Sequence, residues 1–174
     1  AGDISRWEKV LKRLILLNKH YPLKAKQCKV SKFIRKFEHP NKQLDIIYTT
    51  VKNSIIDQGL VFFGGYALYT YSKYLSTKER SNIVKSPDFD VLALDAKIAA
   101  EGIKEKLQRA NINDVNIINK PGIGEIIAPH YAVRIGEEIV AFIYTPLACH
   151  SYNTITINNK PVKIATIDTM LSFY

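Results

Sequence analysis

Four residues in this chain have the types and spacing to do chemistry. Gly64 and Gly65 close a short apolar run, Leu60-Val-Phe-Phe63, and Asp88 and Asp90 flank Phe89 at the head of a second, Val91-Leu-Ala-Leu94. In a strand, residues i and i+2 project to one face, so the spacing predicts two carboxylates side by side. Adjacent like charges are costly unless a cation lies between them. An all-oxygen donor set favours a hard divalent ion, Mg2+ or Mn2+. A diglycine before a helix lets the backbone approach a ligand closely, at a terminus whose amides and dipole favour phosphate. Phosphate cradle and carboxylate pair together are equipment for nucleotidyl transfer, and Tyr66, at the helix start, is placed to line the nucleotide site.

The elements that must position these residues can be read from periodicity. Apolar residues Ile4, Trp7, Leu11 and Leu14, widened by Val10 and Leu17, predict an amphipathic helix from about Asp3 to Lys19, ended by Tyr21-Pro22. Ser31 to Phe37 predicts a short helix stopped by His39-Pro40, and Asn41 to Asp57 another, with Leu44, Ile47, Tyr48, Val51 and Ile55 inward and Gly59 at its end. From residue 59 the pattern becomes α/β (more strictly α+β). It predicts a strand at Leu60–Phe63, a helix at Tyr66–Leu75, a loop at Ser76–Pro87 and a strand at Phe89–Leu94. A helix follows from Asp95 to Arg109, with Ile98, Ile103 and Leu107 apolar, and then a strand at Val115–Ile118. Two hairpins complete the pattern, turning at Gly136-Glu137 and at Asn158-Asn159. A last helix starts near Thr166 with Asp168 as its cap. Domain organisation thus reads as a basic helical segment, 1–58, and a core, 59–174, that continues in a longer protein.

The net charge of +9 is localised. Residues 1–36 hold eleven Lys and Arg against Asp3 and Glu8, while the remainder balances fourteen basic with fourteen acidic residues. A basic segment of this kind is the footprint expected of a nucleic-acid partner. Lys9, Lys12 and Arg13 are its candidate RNA contacts; a solvated helix face is the plainer alternative. No apolar run approaches the ~18–20 residues of a membrane span. Cys28 and Cys149 form neither a disulfide framework nor a zinc spacing, which favours a reducing, intracellular compartment. His20, His39, His130 and His150 lack metal-ligand spacing and read as structural or surface residues. Tyr71 and Tyr74 read as packing residues. No lysine follows Gly65 to make an ATPase P-loop.

The order strand, Gly-Gly, helix, strand with Asp-x-Asp resembles the nucleotidyltransferase superfamily of DNA polymerase beta. The connection from Gly65 to Asp88 is longer than is usual there, through an inserted loop at 77–85. Within the superfamily, Phe62-Phe-Gly-Gly-Tyr-Ala-Leu68, Ser86-Pro-Asp-Phe-Asp90, Ala141–Asn153 and Ile164–Tyr174 resemble the catalytic poly(A) polymerases of large DNA viruses of the mimivirus, asfarvirus and poxvirus type. The resemblance implies a nucleotidyltransferase palm with a mixed sheet, adding AMP from ATP to an RNA 3′ end without a template. It implies Asp88 and Asp90 as catalytic metal ligands for Mg2+ or Mn2+ and Gly64, Gly65 and Tyr66 as nucleotide-binding residues. A viral protein of the host cytoplasm or virion is implied, with a homodimer or a processivity subunit left open and no membrane partner.

One departure stands out. The superfamily carries a third carboxylate on a neighbouring strand, and in Glu138-Ile-Val-Ala-Phe-Ile-Tyr144 that place falls near Phe142. Asp95 lies about 16 Å beyond Asp90 at roughly 3.3 Å per residue, too far to share a metal with it. The alternative function is therefore a non-catalytic scaffold or RNA-binding subunit. A transferase with a small-molecule or protein acceptor is a third reading, against which the basic segment argues weakly.

Overall fold

The computed structural model describes residues 4–22, 42–80, 88–123 and 127–172. Helix α1 (Ile4–His20) forms a unit apart from the rest. Lys19 and His20 sit in its last turn, where cations complement the helix dipole. The helix expected at 31–37 and the loop residues 81–87 lie outside the described residues.

Everything from α2 (Lys42–Asp57) onward belongs to the second unit. This moves α2 across the boundary expected at residue 58. The reason is burial: Ile47, Val51 and Ile55, four residues apart, are 4%, 0% and 0% exposed, so α2 is a wall of the core. It ends in a Schellman turn, with the Leu60 amide donating to Ile55 O (3.2 Å), the Gly59 amide to Ile56 O (2.9 Å) and Gly59 at φ +65°.

The chain then runs through β1 (Val61–Phe63), α3 (Gly64–Tyr71), a 3-10 turn at Ser72–Tyr74, α4 (Thr77–Arg80), β2 (Phe89–Leu92), α5 (Ala96–Arg109), β3 (Val115–Lys120), β4 (His130–Ile135), β5 (Glu138–Tyr144), β6 (Tyr152–Ile157), β7 (Lys160–Ala165) and α6 (Ile167–Ser172). Seven strands form one mixed sheet in the order β3-β4-β5-β2-β1-β7-β6, with β2 parallel to β5 and β1 parallel to β7. One face carries Phe62, Phe89, Val91, Ile143 and Ile164, packed with α2, α5 and Tyr66 of α3 in the main core. The other carries Val61, Phe63, Leu92 and Ala165 with Tyr144. Each fully buried large side chain contributes about 1.5–3 kcal/mol by area removed from water. A bulge between Val133 and Arg134, opposite Val140, lets consecutive residues Val140 and Ala141 both be buried.

Several local expectations are corrected. The loop after α3 contains helix α4, held because Arg80 donates to the carbonyls of Ser72 (3.1 Å), Lys73 (3.0 Å) and Leu75 (3.3 Å), which end the 3-10 turn. Leu94 is 91% and Ile98 65% exposed: the strand leaves the ladder after Ala93, whose amide donates to Tyr144 O, and α5 buries Ala99, Ala100, Ile103 and Leu107 instead. Asp95 is the N-cap of α5, accepting from the Ile98 amide at 2.9 Å. Asp168 lies inside α6 rather than capping it; its carboxylate accepts from Thr166 and is held below the usual range by that bond. Tyr71 is a packing residue, donating to Ala165 O at 3.0 Å, whereas Tyr74 is 75% exposed. The Asn158-Asn159 turn has φ +50° and +61°, the left-handed pair that tight hairpins require.

Asp57 ties three elements together, pairing with Lys160 of β7 (2.8 Å) and Lys106 of α5 (3.6 Å). The Lys160 hydrogen bond, helped by both ammonium charges, holds its carboxyl below the ordinary value. A depressed folded-state pKa stabilises the fold above the unfolded value, and that contribution disappears as pH falls through the folded one. The pairs are substantially exposed, so Asp57→Asn should cost only about 0.2–1 kcal/mol per pair at neutral pH and low salt. Denaturant titrations across pH should show the difference from wild type closing in acid.

Candidate active site

The site is built at the junction of β1, α3 and β2. Phe63 is extended (φ −137°) and Gly64 turns to φ +60°, sending the chain from strand directly into helix α3. An L side chain is strained there. A Cβ at Gly64 would also clash with Asp90 Oδ2 and lie 3.0 Å from its Cγ and 3.1 Å from its Cβ. The glycine is therefore required twice, by its torsion and by the carboxylate packed against it. Gly65 has no positive φ, so the two glycines are not equivalent.

Antiparallel pairing of β1 with β2 sets Phe63 opposite Asp90, and parallel pairing of β2 with β5 sets Asp90 opposite Phe142. Asp90 thus stands on the lesser-packed face with Phe63 and Leu92, half-buried, while Asp88 immediately precedes the strand and is also half-buried. Among the described residues no group of three or more His, Cys, Asp or Glu side chains could hold a metal ion. The place expected for a third carboxylate is apolar: the Phe142 ring lies 5.9 Å from His130, which stacks on Tyr144 at 4.6 Å, and Tyr144 meets Phe63 at 5.3 Å. The His130 Nδ1 lies 3.0 Å from Ala128 O.

The donor set still fits a hard divalent ion. Mg2+ in nucleotide sites commonly takes one or two protein carboxylates and completes its shell with substrate phosphates and water. Asp88 and Asp90 would supply the two, with Asp90 packed against the Gly64 backbone at the start of α3.

Tyr66 is buried (5% exposed), its ring 4.5 Å from Phe62, 5.5 Å from Phe89 and 6.4 Å from Tyr69. It serves as a wall of the site, with both faces engaged by neighbours. Tyr48 of α2 lies 4.6 Å from Phe89. Burial pushes its hydroxyl pKa up, assisted by Tyr66, Tyr69 and the Asp88 charge; burial likewise raises that of Tyr66. Both phenols therefore stay protonated at physiological pH.

Sequence reasoning missed the tyrosines and lysines beyond Tyr66. Tyr48, Tyr66, Tyr69, Lys52, Lys73 and Arg80 line a cavity of about 860 Å³ closed on one side by Ile155–Ile157. The only available signal was that Tyr48 and Lys52, and Tyr69 and Lys73, recur at i, i+4 on two helices. Of the candidate RNA contacts, all on α1, Lys12 pairs with Glu8 at 2.9 Å in an exposed ion pair.

The described residues thus form a mixed seven-stranded sheet with a Gly-Gly turn into a helix and an Asp-x-Asp beside it. Among solved structures the chain is similar to the Megavirus polyadenylate synthase, with a TM-score of 0.59 and 18% identity, over 98% of this chain and 32% of that one. No family model matches the sequence, and no curated protein does. The likeness supports the fold expectation, and this chain spans about a third of that protein's length.

Gly64→Ala should displace Asp90 and destabilise the fold by about 1–2 kcal/mol from the left-handed torsion alone. Gly65→Ala should spare the fold. Equal thermal shifts in the two variants would contradict the distinct roles assigned to the pair.

Proposed function

We propose that this chain is the catalytic palm of an RNA 3′-terminal nucleotidyltransferase, most specifically a poly(A) polymerase that transfers AMP from ATP to an RNA 3′ end. The observation that carries the reading is the close packing of Asp90 against Gly64. It brings a helix N-terminus, of the kind that suits phosphate, within one contact of a carboxylate of the kind that suits a divalent ion, which supports transfer from a nucleoside triphosphate. The fold shared with a polyadenylate synthase is consistent with it.

In this reading the first-turn amides of α3, at Gly64 and Gly65, bind and orient the β- and γ-phosphates; the residue before them, Phe63, offers no side-chain cap to compete. Asp88 and Asp90 hold Mg2+ or Mn2+, which when bound supplies Lewis-acid polarisation and eases deprotonation of the 3′-hydroxyl. The 3′-oxygen forms a bond to the α-phosphorus as the bond to the bridging oxygen of pyrophosphate breaks in line. Phe142 cannot accept a proton or ligate, so two carboxylates carry what three share elsewhere in the superfamily. Phe142 instead sets an aromatic ring opposite Asp90 in the register, with Tyr144 6.5 Å from it.

Primer extension by the full-length protein with labelled ATP, a short RNA and Mg2+ or Mn2+ tests this directly. Asp88→Ala and Asp90→Ala should each lower turnover by at least about 10²–10³-fold, the loss typical of removing one preorganised electrostatic group, with unchanged circular dichroism. Retained turnover in either sinks the metal assignment. No extension by folded wild-type protein that still binds RNA would turn the reading to a scaffold.

The basic helix α1 is the second part of the proposal, as an RNA-binding arm. Neutralising Lys9 and Arg13 should weaken RNA binding and flatten the log K against log salt slope by about 0.7 per cation. Lys12, already paired with Glu8, should contribute less. An unchanged slope would leave α1 as a solvated face.

A further inference from the structure

The cavity between α2, α3 and β6 is a built site that the transfer reaction does not use. Its walls carry three cations, Lys52 from α2, Lys73 from the 3-10 turn and Arg80 from α4, and three phenol rings, Tyr48, Tyr66 and Tyr69; among the described residues no acidic side chain lines it. Its volume, about 860 Å³, falls in the upper part of the ~300–1,000 Å³ range of ligand sites. Among the described residues neither Lys52 nor Lys73 has a carboxylate partner; their ammonium groups rest over tyrosine rings instead, Lys52 at 5.9 Å from the Tyr48 centroid and Lys73 at 4.9 Å from that of Tyr74. Tyr69 is 41% exposed and so has ring surface to offer. The far wall is β6, an edge strand whose outer backbone groups face away from the sheet's hydrogen bonding.

We propose that this cavity binds a nucleotide of single-stranded RNA upstream of its 3′ end. The inference rests on the transferase reading for which substrate is at hand. Spread cations with an available aromatic face are how proteins hold a single strand: charges track the phosphates and rings stack bases without reading sequence. The free nucleotide is already provided for by the α3 amides and the Asp pair, which leaves this cationic cavity to the other substrate. The cations come from three separate elements, a distribution suited to a backbone rather than to one compact triphosphate. The cavity adjoins the candidate site through α3, which begins at the Gly-Gly turn and carries Tyr66 into the cavity wall.

Fluorescence anisotropy of labelled oligo(A) RNA, measured on the full-length protein in EDTA to prevent turnover, tests the assignment, with ATP binding measured separately in Mg2+ and without RNA. Lys52→Ala/Lys73→Ala should raise the RNA Kd about tenfold and reduce the salt slope by about 1.4, at ~0.7 per cation on single strands. Lys52→Arg/Lys73→Arg should restore both. Tyr69→Leu should weaken RNA about tenfold with an unchanged slope, as loss of a stacking ring does. ATP affinity should be unaffected throughout. Unchanged RNA binding in the lysine and Tyr69 variants overturns the proposal, as does wild-type protein that binds no RNA. Loss of ATP affinity in step with RNA overturns it in favour of a nucleotide pocket. Wild-type protein that binds RNA through these residues but extends no primer would uphold the cavity while refuting the transferase.

Discussion

The structure turns on how closely β2 passes the start of α3. Asp90 sits where the Cβ of any residue but glycine would be at position 64, and Gly64 takes the positive φ that only glycine adopts without strain. Had the turn been built from another residue, the strand would end less abruptly, α3 would start further from β2, and amides and carboxylate would no longer meet. The register follows from the same contact. Pairing Phe63 with Asp90 fixes Phe62 and Phe89 toward the helices, where Tyr66 and Tyr48 complete an aromatic core. A one-residue slip would carry Asp90 into that core and Phe89 out of it. Strong packing on one face thus secures the polar residue on the other.

The apolar neighbours of Asp90 change the electrostatics of the site. Phe142 takes the register position opposite it, and Phe63, Tyr144 and His130 extend the aromatic surface. Carboxylates beside apolar rings lose hydration, which makes their shared negative charge costlier and a divalent partner more favourable. Under the proposed function, with two carboxylates rather than three, more of an ion's coordination would fall to substrate oxygens, and metal and nucleotide binding would be more strongly coupled than in a three-carboxylate site.

Much of this was legible in the sequence wherever one signal dominated. The α2 stripe, the Gly59 stop, the Gly-Gly turn and the Asn158-Asn159 hairpin all follow from spacing or turn chemistry, while the placement of Phe142 beside Asp90 follows from the family resemblance. Misreadings arose where tertiary contacts outweighed local pattern. Leu94 and Ile98 look like continuations of apolar runs, but the ladder ends at Ala93 and α5 rotates its alanines inward. Helix α4 is short and polar and is held by one arginine's bonds to three carbonyls, which no periodicity announces. Tyr66 stands at the start of α3, as its spacing predicts, with its ring against Phe62, Phe89 and Tyr69. The cavity was illegible because its walls come from residues 48 and 157, brought together only by the crossover that sets β7 parallel to β1 and β6 beyond it.

The charge distribution explains why that cavity matters to the rest of the molecule. Outside the first 36 residues the chain carries equal numbers of acidic and basic groups, so the sheet unit has no broad positive field to attract a polyanion. The Asp88 and Asp90 carboxylates would, by themselves, repel one. Within the sheet unit Lys52, Lys73 and Arg80 supply locally unbalanced positive charge, with no acidic side chain among the described residues of the cavity's walls. Tyr48 and Tyr66 complete the arrangement. Burial keeps both phenols neutral, so they add no negative charge to the cavity's lining.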